Sequence, residues 1–362
     1  MTKLLASVTG PDEAGIVIEG GADIVDLKDP SKGALGAVPP AVLKATIVRV
    51  AGRRPVSAVA GDLPMEPRIV SAEVEARAAA DFVKIGLFPA SRREREAVIS
   101  ALRPLAERIR LVAVFFADGD PDFDLLPLLA EAGFAGAMID TIGKTGGEGA
   151  PAGGGPKGLL SHLSVASLGS FLERARGLGL MTGLAGSLEP PDVPRLLVLE
   201  PDYLGFRGAL AAGRRDGPVD LPAVRRIAGL IHGPSTESVG AGVAKDRIFV
   251  RDMTMAMEIG AYGHERGRRQ DVRFSVEAQI DRIRPDAETM GDIYSYDVIM
   301  DAIRALGERG HTDLVETLAL SLCRAILADR RVHEVTVRVE KLALGPGAVG
   351  IELTRRRTDL DT

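Results

Sequence analysis

Eight short apolar runs recur along the first two thirds of the chain, separated by amphipathic segments. They are continuous and β-branched rather than alternating, which is typical of strands buried on both faces. The runs are KLLASV (3–8), ADIVDLK (22–28), PVSAVAG (55–61), DFVKIGL (81–87), IRLVAVFF (109–116), GFAGAMIDT (133–141), LMTGLAGS (180–187) and PDYLGFRG (201–208). The intervening EPRIVSAEVEARAAA and SRREREAVISALRPLAERI repeat apolar positions at the helical period.

Strands that alternate with helices predict parallel strands joined by right-handed crossovers. Eight such units within about 230 residues match the usual size of a (β/α)8, or TIM, barrel. An open, doubly wound sheet is the alternative, but eight units suit closure better. The sequence therefore predicts an α/β barrel over residues 1–233.

The pattern changes after residue 233. Residues 234–245 are rich in Gly, Pro, Ser and Thr and are interpreted as a linker. Residues 246–356 then predict two long alternating strands, two helices and two further strands. This order, ββααββ, is that of a smaller α+β domain, and the tail 357–362 is expected to fray.

Composition narrows the function classes. The net charge of −5, an aromatic content of 4% and the absence of Trp argue against nucleic acid or an anionic membrane as partner. No signal peptide is expected from the first residues, MTKLLASVTG, and no apolar run is long enough to predict a membrane span. The single cysteine, Cys323, lies in an apolar helix and is interpreted as a core residue. A cytoplasmic enzyme is expected, with no cofactor and, because the five histidines are scattered, no metal.

Ionisable residues occur at three of the predicted strand ends, where a barrel of this kind places its active site. Asp26 and Lys28 follow the second strand, Lys84 lies in the fourth, and Asp140 and Lys144 follow the sixth. Crowded lysines in an apolar setting have lowered pKa values, and a neutral amine can attack an aldehyde to form a Schiff base. A neighbouring aspartate can then move protons. The alternative is that each lysine is an ordinary strand-end residue with a solvated head, and three at matching ends favour the catalytic interpretation.

The loops after the seventh and eighth strands are rich in small residues. They contain Gly186, Ser187, Gly205, Arg207 and Gly208. Many barrels build a phosphate site from backbone N–H groups at this place. A phosphorylated small aldehyde or ketone is therefore the predicted substrate.

The blocks DIVDLKDPSKGALGA, FVKIGL, MIDTIGKTG and GLAGSL resemble a known family over about residues 2–233. This family is the (5-formylfuran-3-yl)methyl phosphate synthases, also called 4-(hydroxymethyl)-2-furancarboxaldehyde-phosphate synthases. The resemblance implies a metal-free (β/α)8 lyase of the methanofuran or methylofuran pathway. Such an enzyme condenses two molecules of glyceraldehyde 3-phosphate, losing one phosphate and water.

The resemblance also implies roles for the strand-end residues. Lys28 would form the Schiff base, with Asp26, Lys84, Asp140 and Lys144 as its catalytic partners. Lys84 and Lys144 stay open as the imine lysine, because related barrel aldolases often place that residue on the sixth strand. Another Schiff-base aldolase acting on phosphosugars is the alternative function.

The blocks IGAYGHERGRRQDVRFSVE, YSYDVI, LVETLALSL and VRVEKLALGPGAVGIELTR resemble the dihydroneopterin aldolases over about residues 246–356. That resemblance implies the tunnelling fold, in which subunits assemble into rings with a reduced pterin bound between them. Glu316 would bind the pterin, Glu265 and Lys341 would be the acid–base residues, and Tyr296 would orient a water or a hydroxyl. Without the family, Glu316 is better interpreted as a carboxylate at the positive end of a helix.

One departure from this second family bears on its activity. Leu342 follows Lys341 where the family usually has proline. The alternative to a pterin aldolase is therefore a non-catalytic module that forms a homo-oligomer. A furan carrier and a pterin carrier such as tetrahydromethanopterin both serve one-carbon metabolism. The two predicted domains would therefore act in the same area of metabolism, which accounts for their fusion in one chain.

Overall fold

The structure is a computed structural model that describes residues 1–143, 158–212, 217–233, 245–343 and 347–359. The chain divides into two compact units, Met1–Gly233 and Pro234–Thr362. Of the range 234–245 that was interpreted as a linker, all but the last residue lies outside the described residues. Lys245 itself is not linker, because it begins a strand.

Eight parallel strands form a closed barrel in the described part of the first unit, in sequence order, with the eighth strand beside the first. The prediction of a (β/α)8 barrel is confirmed, and the open sheet is excluded. The strands are β1 (Lys3–Val8), β2 (Ile24–Leu27), β3 (Val56–Val59), β4 (Phe82–Gly86), β5 (Leu111–Phe116), β6 (Gly136–Asp140), β7 (Met181–Leu184) and β8 (Tyr203–Phe206).

Helices follow the strands, as the alternating pattern predicts. They are α1 (Pro11–Glu19), α2 (Pro40–Val50), α3 (Pro67–Glu75), α4 (Arg92–Ala106), α5 (Leu126–Glu131), α6 (Val165–Gly177), α7 (Asp192–Leu197) and α8 (Leu221–His232). Helix α4 begins at a capping box, in which the Ser91 side chain accepts from the Glu94 backbone N–H and the Glu94 carboxylate accepts from the Ser91 N–H. Both α3 and α4 end a few residues before the amphipathic pattern does.

Side chains two residues apart on each barrel strand point to the same face, so alternate residues enter the interior. The lower interior is apolar and contains Leu5, Ile24, Val112 and Met138 together with the buried ring of Tyr203. The ring fits because β7 carries a glycine opposite it: a Cβ on Gly183 would lie 2.2 Å from the Tyr203 ring. Because apolar side chains fill the lower interior, the polar groups of the inner face are found at the mouth of the barrel.

A buried ion pair ties the two ends of the barrel unit together where β8 meets β1. The Arg207 guanidinium donates to both oxygens of Glu13, at 2.6 and 3.2 Å. The Thr9 backbone N–H donates to the same carboxylate at 2.7 Å, and that of Val219 at 3.2 Å. Burial raises the pKa of the Glu13 carboxyl, but the hydrogen bonds from Arg207 and Thr9 outweigh it and hold the pKa below its ordinary value.

Replacing Glu13 with glutamine should destabilise the first unit by about 3 kcal/mol, because it leaves the Arg207 charge buried without its partner. Glu19→Gln is the matched control, since Glu19 pairs with Arg225 at 3.0 Å on the surface, where both side chains are more than half exposed. Its effect should stay within about 0.5 kcal/mol. Chemical unfolding followed by circular dichroism measures the free energy of unfolding of both variants. Equal losses in the two would contradict a stabilising role for the buried Glu13–Arg207 pair.

In its described residues, the second unit contains a four-stranded antiparallel sheet whose strands lie in the order fourth, third, second and first along the chain. The predicted ββααββ order is confirmed. The elements are β9 (Lys245–Glu258), β10 (Arg269–Asp281), α9 (Tyr296–Glu308), α10 (Val315–Leu327), β11 (Val332–Lys341) and β12 (Val349–Arg356). One face of the sheet packs against the helices, and Cys323 is fully buried in that core, where burial raises the pKa of its thiol to about 11.

The tail does not fray where the structure describes it. Residues Arg357–Asp359 form a short 3-10 turn after β12. The Arg357 guanidinium donates to the carbonyl oxygens of Asp329 at 2.6 Å and of Val332 at 2.9 Å. These bonds hold the turn against the start of β11, which is the reason the expectation was wrong for these three residues.

Candidate active site

Asp26 and Lys28 share one face of β2 because they are two residues apart, and that face looks into the barrel. Ile24, two residues earlier, belongs to the apolar interior, so the face becomes polar towards the mouth. The same change occurs on β4, where the partly buried Phe82 precedes Lys84, and on β6, where Met138 precedes Asp140. Three strands thus each end an apolar inner face with ionisable groups.

Two buried ion pairs cross the mouth of the barrel. Lys28 Nζ lies 3.1 Å from Asp140 Oδ2, and this contact joins residues that are 112 positions apart in the sequence. Lys84 Nζ lies 2.7 Å from Asp26 Oδ2 and bridges across β3, the strand between them. All four side chains are at most 6% exposed. Amines and carboxylates from three strands therefore meet in one enclosed place.

Asp26 is at the centre of this arrangement. Its Oδ2 accepts from the Ser7 hydroxyl at 3.0 Å as well as from Lys84. Among the described residues, its buried Oδ1 has no hydrogen-bond partner, and neither does the hydroxyl of Ser57, the residue paired with Asp26 on β3. The described residues thus leave one carboxylate oxygen facing the interior with its lone pairs available to a ligand or a proton.

The pKa of Lys84 is lowered from its ordinary value. Burial is the largest cause, because it disfavours the charged amine. The nearby Asp26 carboxylate acts in the opposite direction, and the positive charge of Lys28 adds to the lowering. A lysine in such surroundings can exist as the neutral amine, which is the form able to act as a nucleophile or a base.

Asp140 is the last residue of β6, four positions before Lys144 in the sequence. The Asp140 Oδ1 accepts from the Thr141 backbone N–H at 2.8 Å. Asp118, after β5, accepts from the N–H groups of Ile142 and Gly143 at 2.8 and 2.7 Å. Lys144 itself lies outside the described residues, so its predicted role stays a prediction.

The glycine-rich loops after β7 and β8 adjoin the same mouth. Gly186 has a φ of +117°, and a Cβ there would lie 3.0 Å from the Thr141 side chain, so only glycine fits. Ser187, which follows it, has a φ of 50°, in the left-handed region. Gly205 ends the inner face of β8, and Gly208 begins a 3-10 turn directly after Arg207.

Arg207 is placed differently from a free anion-binding side chain. Its side chain is 5% exposed, and its guanidinium binds Glu13 and also donates to the carbonyl oxygens of Ser7 and Gly217 at 3.2 and 3.0 Å. Glu13 was not recognised in the sequence, because an acid in the first turn of a helix has an ordinary interpretation there.

The second unit has its own buried ion pair. The Lys341 amine, at the end of β11, donates to Glu265, and both side chains are at most 10% exposed. Glu265 also accepts from the Tyr262 backbone N–H at 3.1 Å and from Gln270 at 3.3 Å. The bond from Lys341, followed by the one from Tyr262, lowers the pKa of the Glu265 carboxyl to about 2.

The other two residues predicted for this unit lie on its surface. Tyr296 is the first residue of α9 and is 56% exposed. Glu316 lies exposed in the first turn of α10. The loop before α10 contacts the Glu265 loop, because the Gly260 N–H donates to Thr312 O at 2.9 Å and Arg266 pairs with Asp313 at 2.8 Å.

The described ranges contain neither a candidate metal site nor a candidate membrane helix. They contain no group of three or more His, Cys, Asp or Glu placed to hold a metal ion. In the same ranges no helix combines the length and the apolar character needed to cross a membrane.

Sequence reasoning missed three residues that shape the barrel site: Ser7, Asp62 and Asp118. Ser7 could have been found, because it is the polar residue at an inward position of the apolar run KLLASV. Asp62 and Asp118 lie in polar loops, where an acid carries no signal in the sequence, and only their bonds to backbone N–H groups reveal them.

Residues 4–228 match the family model described as 4-HFC-P synthase, and residues 248–354 match that of dihydroneopterin aldolase. A protein of Methylorubrum extorquens named as a candidate (5-formylfuran-3-yl)methyl phosphate synthase is 39% identical over 238 residues, which cover 65% of this chain and 94% of that protein. The (5-formylfuran-3-yl)methyl phosphate synthase of Methanopyrus kandleri is 35% identical over 240 residues, covering 62% of this chain and 97% of its own length.

Among solved structures, a dihydroneopterin aldolase from Burkholderia thailendensis bound to guanine is 27% identical, with a TM-score of 0.28. The match covers 31% of this chain and 92% of that one. The family models account for both units of the structure, the barrel and the ββααββ unit. The chain belongs to the 4-HFC-P synthase family and carries a second, dihydroneopterin aldolase-like unit.

Proposed function

We propose that the barrel condenses two molecules of glyceraldehyde 3-phosphate to (5-formylfuran-3-yl)methyl phosphate through a lysine Schiff base. The observation that carries the proposal is the pair of buried lysine–aspartate contacts, Lys28–Asp140 and Lys84–Asp26, inside one barrel mouth. Membership of the 4-HFC-P synthase family supports a synthase activity for the barrel. The enclosed amines supply the groups that an aldehyde condensation requires.

Lys28 is the proposed imine-forming residue. It directly follows the last residue of β2, and its amine meets the Asp140 carboxylate across the mouth of the barrel. Its nitrogen attacks the aldehyde carbon to give a carbinolamine, and loss of water gives the iminium. Starting from the ammonium–carboxylate pair, Asp140, 3.1 Å from the amine, is placed to carry two protons in turn from the nitrogen to the aldehyde oxygen, which then leaves as water.

Lys84 and Asp26 are the proposed acid–base pair for the carbon–carbon bond. Removing a proton from the carbon beside the iminium gives an enamine, whose carbon attacks the aldehyde carbon of the second substrate. The lowered pKa of Lys84 allows its amine to accept and return a proton. The same lowered pKa makes Lys84 the second candidate for the imine lysine, and Lys144 remains a proposed partner.

The phosphate groups are proposed to bind at the loops that carry Gly186, Ser187, Gly205 and Gly208, through backbone N–H groups. Arg207 belongs to this proposed site. Because its terminal nitrogens bind Glu13, we assign to it the holding of the loop that follows β8.

The direct test of the reaction is incubation of the purified chain with glyceraldehyde 3-phosphate alone. A furan synthase produces an ultraviolet-absorbing furan aldehyde and releases inorganic phosphate. An aldolase acting on other phosphosugars would give neither from this substrate alone. Absence of the absorbing product would therefore refute the proposed reaction and favour that alternative.

For the second unit we propose a pterin aldolase that acts on a reduced pterin. Glu265 and Lys341 form the acid–base pair, and their mutual burial supports a chemical role. Glu316 would bind the pterin and Tyr296 would orient a water or hydroxyl. Both are exposed in a single chain, as expected if a second subunit completes the site in a cytoplasmic homo-oligomer.

Pterin binding and glycolaldehyde release by the full chain test this proposal. Both should be lost in Glu316→Ala, while Glu308→Ala, which changes the last residue of the preceding helix, serves as control. A unit that only assembles subunits would show neither activity in the unmodified chain.

A further inference from the structure

The loop that follows Lys28 is closed on itself and then held from outside. The Asp29 backbone N–H donates to Gly36 O at 2.8 Å, and the Asp29 carboxylate accepts from the Ser31 N–H at 3.1 Å. Residues 29–36 therefore form one compact turn directly after the proposed imine lysine. The Asp29 carboxylate fixes the first half of this loop, and the backbone N–H groups of the second half are bound by a different residue.

That partner is Asp62, in the loop after β3. Its carboxylate accepts from the backbone N–H groups of Ala34 at 2.8 Å and Leu35 at 2.5 Å. The approach requires glycine at position 33, whose φ is +119° and whose Cβ, if present, would lie 2.0 Å from the carboxylate. Two consecutive N–H groups bound by one carboxylate fix the direction of the chain at Leu35.

Leu35 is thereby placed inside the barrel mouth. It is 1% exposed and belongs to the same apolar cluster as Val59 and Phe116. Its Cδ1 lies 3.0 Å from the position that a Cβ on Gly86 would take. Gly86 is two residues after Lys84 and faces the same way, so Leu35 lies directly on the mouth side of Lys84.

We propose that Asp62 is a positioning residue that holds Leu35 over Lys84 and so keeps water away from the two lysine–aspartate pairs. The activity part of this inference rests on the proposed Schiff-base function. The geometric part, a carboxylate that fixes an apolar cover over a buried amine, does not.

The sign of the effect on Lys84 separates this role from a simple charge effect. The charged groups that act on the pKa of Lys84 are Asp26 on β2, Lys28 directly after β2 and Asp140 at the end of β6. Removing the negative charge of Asp62 would, by Coulomb attraction alone, lower the lysine pKa further. Releasing the cover admits water, which favours the charged amine and raises the pKa.

Asp62→Asn is the test variant, because asparagine keeps the shape but can accept only one of the two N–H bonds. Asp81→Asn is the matched control. Asp81 lies at the opposite end of β3, where its carboxylate accepts from the Val56 backbone N–H at 2.7 Å. Both variants remove a carboxylate that holds backbone, but only Asp62 holds the loop that carries Leu35.

Two readouts are measured on the full chain. One is the pH profile of furan formation from glyceraldehyde 3-phosphate. The other is the reaction of Lys84 with trace acetic anhydride across pH, followed by peptide mass analysis. In Asp62→Asn we expect the acidic limb of the profile and the Lys84 titration both to move up by about 1 pH unit, and kcat to fall about tenfold. In Asp81→Asn neither titration should move.

The two proposals fail separately. A downward or absent shift of Lys84 in Asp62→Asn would overturn the positioning role even if furan is formed normally. A shift of Lys84 without furan formation by the unmodified chain would refute the reaction and leave the positioning role standing. If Asp62→Asn does not fold, Leu35→Ala opens the same cover without touching a charge, and it must give the same upward shift.

Discussion

Replacing Lys28 with methionine should reduce furan formation at least about 1000-fold, because no other group then forms the imine at the mouth of β2. Methionine keeps most of the length and packing of the lysine stem, so a loss of activity reflects the missing amine. The measurement is the initial rate of ultraviolet-absorbing product from glyceraldehyde 3-phosphate at saturating substrate.

Lys32→Met is the control for this variant. Lys32 lies four residues further along the same loop, where it is half exposed and pairs with Asp29 at 3.0 Å. Its rate should stay within about twofold of the unmodified chain, since surface pairs contribute little. A Lys28→Met protein that keeps a tenth or more of the activity would show that another lysine forms the imine.

Replacing Asp26 with asparagine should have the second largest effect, a rate about 100- to 1000-fold lower. The substitution removes the carboxylate that faces Lys84 at 2.7 Å and that raises the pKa of its amine. The pKa of Lys84 then falls further, and the pair loses its means of returning a proton. Because a buried charge partner is lost, the free energy of unfolding should also drop by about 3 kcal/mol.

Ser7→Ala serves as the control for Asp26→Asn. It removes only the hydroxyl that donates to the same carboxylate oxygen at 3.0 Å. Loss of one such hydrogen bond costs about 1 kcal/mol, so activity should fall no more than about tenfold. Equal losses in the two variants would show that Asp26 acts by holding the fold rather than by moving protons.

The barrel could be predicted from the sequence because each strand is a continuous apolar run and eight of them fit one closed sheet. The inward direction of Asp26, Lys28, Lys84 and Asp140 followed from the same pattern, since side chains two residues apart share a face. The barrel topology brings these four residues together, and the alternation of strands and helices in the sequence predicts that topology.

The choice of ion-pair partners could not be predicted. Asp26 and Lys28 are neighbours in sequence, yet each pairs with a residue of another strand, Asp26 with Lys84 and Lys28 with Asp140. Partner choice depends on the stagger of strands around the barrel, which a hydrophobic pattern does not contain. The same limit applies to Arg207, whose partner Glu13 is 194 residues away.

The loops were the hardest part to predict. Asp62 and Asp118 each bind two consecutive backbone N–H groups of a loop that follows another strand. Such bonds depend on loop conformations that polar residues and glycines permit but do not specify. The tail was hard to predict for the same reason, because Arg357 donates to the carbonyl oxygens of Asp329 and Val332, which are distant in sequence.

The most direct experiment asks whether Lys28 forms a Schiff base with the substrate. The chain is treated with borohydride in the presence of glyceraldehyde 3-phosphate, and its peptides are then analysed by mass spectrometry. We expect a reduced, substrate-derived adduct on Lys28, in the peptide that contains DLKDPSK. An adduct on Lys84 or Lys144 instead would contradict the assignment of Lys28. Loss of activity with no adduct on any lysine of the barrel mouth would contradict Schiff-base catalysis in this chain.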